Sequence, residues 1–297
     1  MNITITGSLG NISKPLTEQL IAKGHRVTVV SHNPERAAAI EALKAIPAIG
    51  AIEDATFLRR AFEEADAVYL MIPPGYAATD IHAYMKAAGD RYATAITQAG
   101  VKYVVNLSSI GAHTPDGAGP AGANYYIEQQ LNALAGIQVL HLRPGMFYSN
   151  FLGSIPMIKH QRIIGNNFDA ATPVVLSHPA DIATVAATAL DTLNFSGKEI
   201  RYVASDEKTG AEIASLLGAA AGQPDLAWVH FPDEALLAGL MESGLSEQMA
   251  KVYVVEIGVA LRDGSLLNDY RQQEKIAFGP TSFADFAREF GEIYKNN

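Results

Sequence analysis

The N-terminal strand, Met1–Thr6, sets Ile3 and Ile5 in alternation with Thr4 and Thr6 and runs straight into Gly7-Ser8-Leu9-Gly10-Asn11-Ile12-Ser13. Beyond this turn, Ile12, Leu16, Leu20 and Ile21 recur at helical spacing. An apolar strand, a glycine turn and an amphipathic helix make up the build of a dinucleotide pyrophosphate site, with the helix N-terminus turned toward the anion. Gly7 stands where a Cβ would strain the backbone, and Gly10 where the main chain must approach a phosphate. The third small position is Ser13 rather than Gly or Ala, so the fingerprint is a variant. The residues expected to touch the cofactor here are Gly7, Ser8, Leu9, Gly10, Asn11 and Ile12.

The same rhythm continues. Pro15 fits the first turn of the helix and Gly24 its end. Arg26–Val30 then closes a βαβ unit. Further strands are expected at 48–52, 67–72, 103–107 and 138–142. Helices are expected between them, near 35–44, 56–64, 77–99 and 125–134. Strands alternating with helices predict an α/β fold with a doubly wound parallel sheet. After Pro144-Gly145 the rhythm changes: a helical stretch with a loop at 147–164, a brief strand at 174–176, a helix at 180–191, a strand at 199–203 and a mostly helical tail with a short strand at 226–231. The expected division is a nucleotide domain over 1–150 plus about 177–205. A smaller, mostly helical lobe takes about 151–176 and 206–297.

Composition narrows the function class. With 31 acidic and 22 basic residues the formal charge is −9, which argues against nucleic acid as a bulk partner. No apolar run approaches the ~20 residues of a membrane helix, and the first residues carry no signal-peptide pattern; the expected compartment is the cytoplasm. The absence of cysteine removes disulfides, thiolate zinc sites and cysteine nucleophiles. No His/Asp/Glu spacing suggests a metal.

At the end of the second strand, where NAD-binding sheets carry an acid for the ribose, the chain reads Ser31-His32-Asn33-Pro34-Glu35-Arg36. A hydroxyl, an imidazole and a guanidinium suit a 2′-phosphate, so NADP is expected in preference to NAD. The blander reading of Arg36 is a solvated helix residue. Ligands in such sheets lie at the carboxyl ends of the strands, which brings in Ile72, Pro73, Pro74, Ser108, Ser109 and Pro144. The alternative for the two serines is capping of the chain as it leaves the sheet. Arg143 is read as a buried ion-pair partner.

Taken together, these segments resemble the NmrA-like family of atypical short-chain dehydrogenases/reductases, near the type that includes NADPH:quinone oxidoreductases. The resemblance is carried by Gly7–Asn11, Ser31–Arg36, Gly50–Asp54, Ala65–Pro74, Gly100–Ser109, Glu128–Leu131, Leu142–Phe147 with Asn150, His178–Ile182 and Phe278–Phe283. It implies a Rossmann core, a small substrate lobe and NADP(H). Two departures stand out. Relatives often place an acid that contacts adenine where this chain has Ala51. The Tyr-x-x-x-Lys pair of carbonyl-reducing relatives is also missing: Tyr125 is followed by Gln129 and Tyr126 by Gln130, and glutamine cannot lower a phenol's pKa by its charge.

A quinone needs no strong general acid, because hydride transfer gives a stabilised anion that water protonates. The expected function is therefore hydride transfer from NADPH to a quinone or similar aromatic acceptor. Tyr125 and Tyr126 are the weak catalytic candidates, and Phe147, Tyr148 and Phe151 form the expected acceptor pocket; ordinary packing is the alternative for each. The rival reading is a catalytically inactive dinucleotide-binding redox sensor that acts through a protein partner. His141 is read as a core histidine, His113 as part of a loop over 111–122 that flaps across the nicotinamide, and Asp181 as a cap or ion-pair residue. The oligomeric state is left open.

Overall fold

A computed structural model of the chain describes residues 1–296. Strands β1 (Asn2–Ile5), β2 (Arg26–Ser31), β3 (Ile46–Ile49), β4 (Ala67–Leu70), β5 (Tyr103–Leu107) and β6 (Gln138–Pro144) alternate with α1 (Ser13–Ala22), α2 (Ala37–Ala42), α3 (Ala55–Phe62), α4 (Ile81–Ala99) and α5 (Ala121–Asn132). Next come β7 (Met146–Phe147), α6 (Ile155–Gln161), β8 (Ile163–Asn166), β9 (Pro173–Ser177), α7 (Pro179–Thr192), β10 (Lys198–Val203), β11 (Asp206–Thr209), α8 (Gly210–Ala220) and β12 (Ala227–His230). The remainder is helical: α9 (Asp233–Glu242), α10 (Glu247–Ala250), a π-helical turn at Lys251–Val255, α11 (Glu256–Arg262), α12 (Asn268–Arg271) and α13 (Phe283–Asn296).

Seven strands form one parallel sheet in the order β10-β6-β5-β4-β1-β2-β3. The chain winds outward from β1 through β2 to β3, then returns to start β4 on the other side of β1. That reversal opens a crevice at the carboxyl ends of β1 and β4, where a doubly wound sheet binds its ligand. One face of the sheet buries Ile3, Ile5 and Val29 against Leu16 and Leu20 of α1 and Ile182 and Ala186 of α7. The other face buries Val68 and Val104 against Leu58 of α3, Met85 of α4 and Ile127 of α5. Burying side chains of this size on both faces contributes roughly 1.5–3 kcal/mol each.

Local chemistry sets the helix starts on the second face. The Asp54 carboxylate accepts from the Thr56 and Phe57 N–H groups, and Asp80 accepts from Ala83. Asp80 therefore starts α4 at Ile81, four residues later than periodicity places it. β3 occupies 46–49 rather than 48–52. It is an edge strand, so Pro47 costs no interior ladder bond.

The C-terminal part is less purely helical than expected. β7, β9 and β11 make a three-stranded sheet, and β8 pairs with β12. These elements close over a core that contains Tyr148, Phe151, Phe168, Phe283, Phe286 and Phe290.

Candidate active site

The turn after β1 is built to hold its shape without a ligand. Gly7 has φ +94°, and a Cβ there would sit 2.7 Å from Met71 Cε and 2.8 Å from Ser13 Oγ. Ser13, the unusual third residue of the fingerprint, is fully buried and donates its hydroxyl to the Thr6 carbonyl at 3.0 Å. It thereby ties α1 to the end of β1. Thr6 in turn joins β1 to β4, accepting from Met71 N–H at 2.7 Å and donating to its carbonyl at 3.0 Å.

Ser8 has φ +56°, in the left-handed region that a residue with a side chain pays about 1–2 kcal/mol to enter. This conformation points its hydroxyl at Ser31 Oγ, 3.0 Å away at the end of β2, while its N–H donates to the Val30 carbonyl. The N-terminus of α1 at Ile12 carries no side-chain cap; Lys14 N–H donates to the Gly10 carbonyl at 3.0 Å, which leaves the Ile12 and Ser13 N–H groups to meet an anion. Leu9 and Gly10 are half-buried in the turn and Asn11 is exposed.

Beyond β2, Ser31 is buried, whereas His32 and Arg36 are exposed. Neither the His32 nor the Arg36 side chain has a hydrogen-bond or ion-pair partner among the described residues. A hydroxyl pair with an unpaired cation beside it fits a phosphate monoester on a ribose. At the carboxyl end of β4, Ile72 and Pro73 are half-buried and Pro74 is exposed.

At β5 and β6 the serines divide. The Ser109 hydroxyl donates to the Ile110 carbonyl at 2.9 Å. Ser108 is buried and donates to Glu128 Oε1 at 2.5 Å. Pro144 is buried at the carboxyl end of β6, and Gly145 follows where a Cβ would lie 2.3 Å from the Val175 carbonyl oxygen.

At these strand ends lies a charged network that sequence reasoning found only in part. Arg143 and Glu128 are 4% and 1% exposed and pair through Nε–Oε1 at 3.0 Å and Nη2–Oε2 at 2.6 Å. Arg143 also donates to the Ala112 carbonyl, to Asp269 at 3.0 Å and to the Tyr202 hydroxyl at 3.2 Å. Burial alone would lower the guanidinium's pKa. The hydrogen-bonded Glu128 carboxylate outweighs it, and the net shift is upward. The network ties β5, β6 and β10 to α5 and α12, and so joins the sheet to the C-terminal part. Arg143 matches its expectation as a buried ion-pair partner. Glu128, Tyr202 and Asp269 were missed. The readable signal was a lone acid between Ile127 and Leu131 on the buried stripe of α5.

The tyrosines of α5 diverge. Tyr126 donates to Asp90 Oδ1 at 2.9 Å and lies under Lys86 Nζ, 5.5 Å from its ring centre, so it faces α4. Hydrogen bonding to the Asp90 carboxylate raises its pKa, the opposite of what an acid catalyst needs. Its expected catalytic place is corrected accordingly. Tyr125 is half-buried.

The expected acceptor pocket changes as well. Tyr148 is fully buried, donates to the Thr281 carbonyl and stacks edge-on against Phe283 at 5.2 Å. Phe151 is sealed against the same Phe283 at 5.3 Å. Packing claims both rings and leaves only Phe147 half-buried near the crevice.

The histidines and Asp181 fall into distinct settings. His141 is fully buried between Asn106 and Asn132, and burial above all holds its pKa down at about 3. It is a neutral core residue. The His113 Nδ1 is buried without a partner. Its loop is anchored by His82 Nε2 bonded to the Gly119 carbonyl and by Gly119 N–H donated to Glu256. Asp181 accepts from Ser205 and Thr281, while His178 caps α7.

Comparison with known proteins follows this geometry. The NmrA-like family profile matches residues 1–287. A crystal structure of an NADPH-dependent quinone oxidoreductase from Escherichia coli, complexed with NADPH, superposes with a TM-score of 0.82 at 21% identity, covering 97% of this chain and 99% of that one. Triphenylmethane reductase from Citrobacter sp. superposes with a TM-score of 0.80 at 17% identity, covering 98% and 100%. In sequence, a (4-alkanoyl-5-oxo-2,5-dihydrofuran-3-yl)methyl phosphate reductase from Streptomyces griseus is 26% identical over 226 residues, 75% of this chain and 74% of that protein. At these identities the structural likenesses establish the fold, and with the profile spanning nearly the whole length, the chain belongs to the NmrA-like family.

Proposed function

We propose that the protein is an NADP(H)-dependent reductase of small aromatic acceptors, quinones first among them. The observation that carries the reading is the preformed turn over Gly7–Ser13, with Ser8 held against Ser31 and the Arg36 side chain, five residues further on, left unpaired among the described residues. The turn and the uncapped start of α1 suit a pyrophosphate. Ser31, His32 and Arg36 suit the 2′-phosphate that distinguishes NADP from NAD. Ile72 and Pro73 offer an apolar wall to the nicotinamide half. When bound, the reduced nicotinamide supplies a hydride.

The acceptor class follows from the acid–base groups. Tyr126 is bonded to Asp90, Ser108 and Glu128 are bonded to each other, and α5 carries glutamines where a lysine would stand. No strong general acid is poised among these residues, so the chain's task is to orient two rings and exclude water. That favours an acceptor whose reduced form is protonated by solvent. The names of the E. coli and Citrobacter relatives, a quinone oxidoreductase and a triphenylmethane reductase, support the same class, and that of the Streptomyces relative supports reduction of a small molecule.

The test pairs binding with turnover. Calorimetric titration should give tighter binding of NADPH than NADH, and a panel of quinones should oxidise NADPH, read at the nicotinamide absorbance band. Equal affinities would remove the NADP assignment. Tight NADPH binding with no acceptor reduced would replace the reductase by the dinucleotide sensor.

A further inference from the structure

The seven-stranded sheet ends on β10, whose outer edge has no strand beside it over Lys198–Tyr202 among the described residues. Its backbone direction is fixed by the ladder to β6. Val139 N–H donates to the Gly197 carbonyl, and Ile200 is in register with His141. In a parallel ladder this sets the N–H and C=O of residues 197, 199 and 201 toward β6 and those of 198, 200 and 202 outward. Ala204 confirms the alternation: its carbonyl points out and accepts from Gly279 N–H at 2.7 Å. There the strap 273–280 crosses the sheet edge. Between strap and strand lies a groove of about 870 Å³, lined by Ile200, Arg201, Lys275, Phe278 and Thr184. Ile200 is 50% exposed and Phe278 is 53% exposed. A bare edge flanked by exposed apolar side chains is a template for another strand.

The sequence of the edge specifies which strand. Lys198-Glu199-Ile200-Arg201-Tyr202 is charge-complementary to itself when reversed. We propose that two copies of this chain pair antiparallel through β10, about a two-fold axis at Ile200, to make one continuous fourteen-stranded sheet. Ile200 of each copy exchanges both backbone hydrogen bonds with Ile200 of the other, because its N–H and C=O both point outward. Glu199 of one copy then stands opposite Arg201 of the other, twice, in the closer non-hydrogen-bonded positions. Both side chains lie on the α7 face. Arg201 has no partner within the chain among the described residues, and the Glu199 carboxylate accepts only the nearby Ser196 N–H. A one-residue slip would break both ion pairs and replace the hydrogen-bonded centre.

Sedimentation velocity across a range of protein concentrations tests the pairing. The unaltered chain should run as a dimer. R201E, which sets Glu opposite Glu at both positions, should raise the dimer dissociation constant about tenfold or more, and E199R/R201E should restore it. I200P removes an outward N–H that the fold itself does not use, and it should give a monomer. Circular dichroism and NADPH binding check that each variant is folded. A monomer at every concentration overturns the proposal. So does a dimer indifferent to R201E and I200P, or a double variant that stays monomeric.

Discussion

Replacing Glu128 by Gln keeps the shape of the side chain and removes its charge from a site where it is 1% exposed. Arg143, 4% exposed, would lose the carboxylate it now meets through two nitrogens at 3.0 and 2.6 Å. Its remaining acidic partner, Asp269 at 3.0 Å, is partly open to solvent and holds only Nη1. Removing one member of a buried pair leaves an uncompensated charge and costs about 3–5 kcal/mol. For a chain of this size that lowers Tm by roughly 6–20 °C, at about 2–4 °C per kcal/mol. Urea denaturation at neutral pH measures the loss directly, from the midpoint at constant slope. The reasoning has a second arm: E128L/R143M removes both charges and fills the site with apolar groups, and should recover most of the stability. An E128Q protein within about 1 kcal/mol of the parent, the range of an exposed pair, would refute the account. A double variant less stable than E128Q would do the same.

Other outcomes follow from the turn and the core. S8G relieves a left-handed residue and should stabilise the free protein by about 1 kcal/mol. It also removes the hydroxyl facing Ser31, so NADPH affinity should fall; calorimetry and thermal denaturation read the two effects separately. R36A should weaken NADPH by roughly five- to tenfold, the worth of about 1 kcal/mol for an exposed charge on a phosphate. NADH should be unaffected by R36A, and the difference should shrink at high salt. His141 stays neutral in the fold down to pH about 3, whereas the unfolded chain binds its proton near pH 6.5. The unfolded state therefore holds more protons between these values. Stability is complete above pH 6.5 and falls as pH drops toward 3, by up to about 4–5 kcal/mol. H141Q should flatten that slope, measured by denaturation at a series of pH values.

The parts of the molecule legible in the sequence are those whose signal is local. Gly7 and Ser13 declare a turn within seven residues, and the alternation of strand and helix predicts the parallel sheet. β3 was misplaced because Gly50–Ile52 looks apolar enough to extend it, although the chain already turns there. β8 and β12 were not read as a pair because Ile163–Asn166 and Ala227–His230 are short and meet only across the fold. The same limit governed the pocket. Phe147, Tyr148 and Phe151 are equally aromatic on paper, and only Phe283, more than a hundred residues away, decides that two of them are core.

Helix α5 shows how one element exchanges one kind of work for another. In relatives that reduce carbonyls it supplies a phenol and the lysine that activates it. Here Tyr126 braces α4 through Asp90, and Gln129 is exposed. Glu128 is sealed under the crevice, where it holds Ser108 of the β5 end and Arg143 of the β6 end at once. An acid spent on two structural partners cannot also deliver a proton. The same bonds hold the ends of β5 and β6 together, which suits the proposed transfer between two rings. On this reasoning E128Q should impair turnover through misplacement, not through lost acid catalysis. The pH dependence of kcat should then keep its shape while its magnitude falls, and a shifted pH profile would return Glu128 to the chemistry.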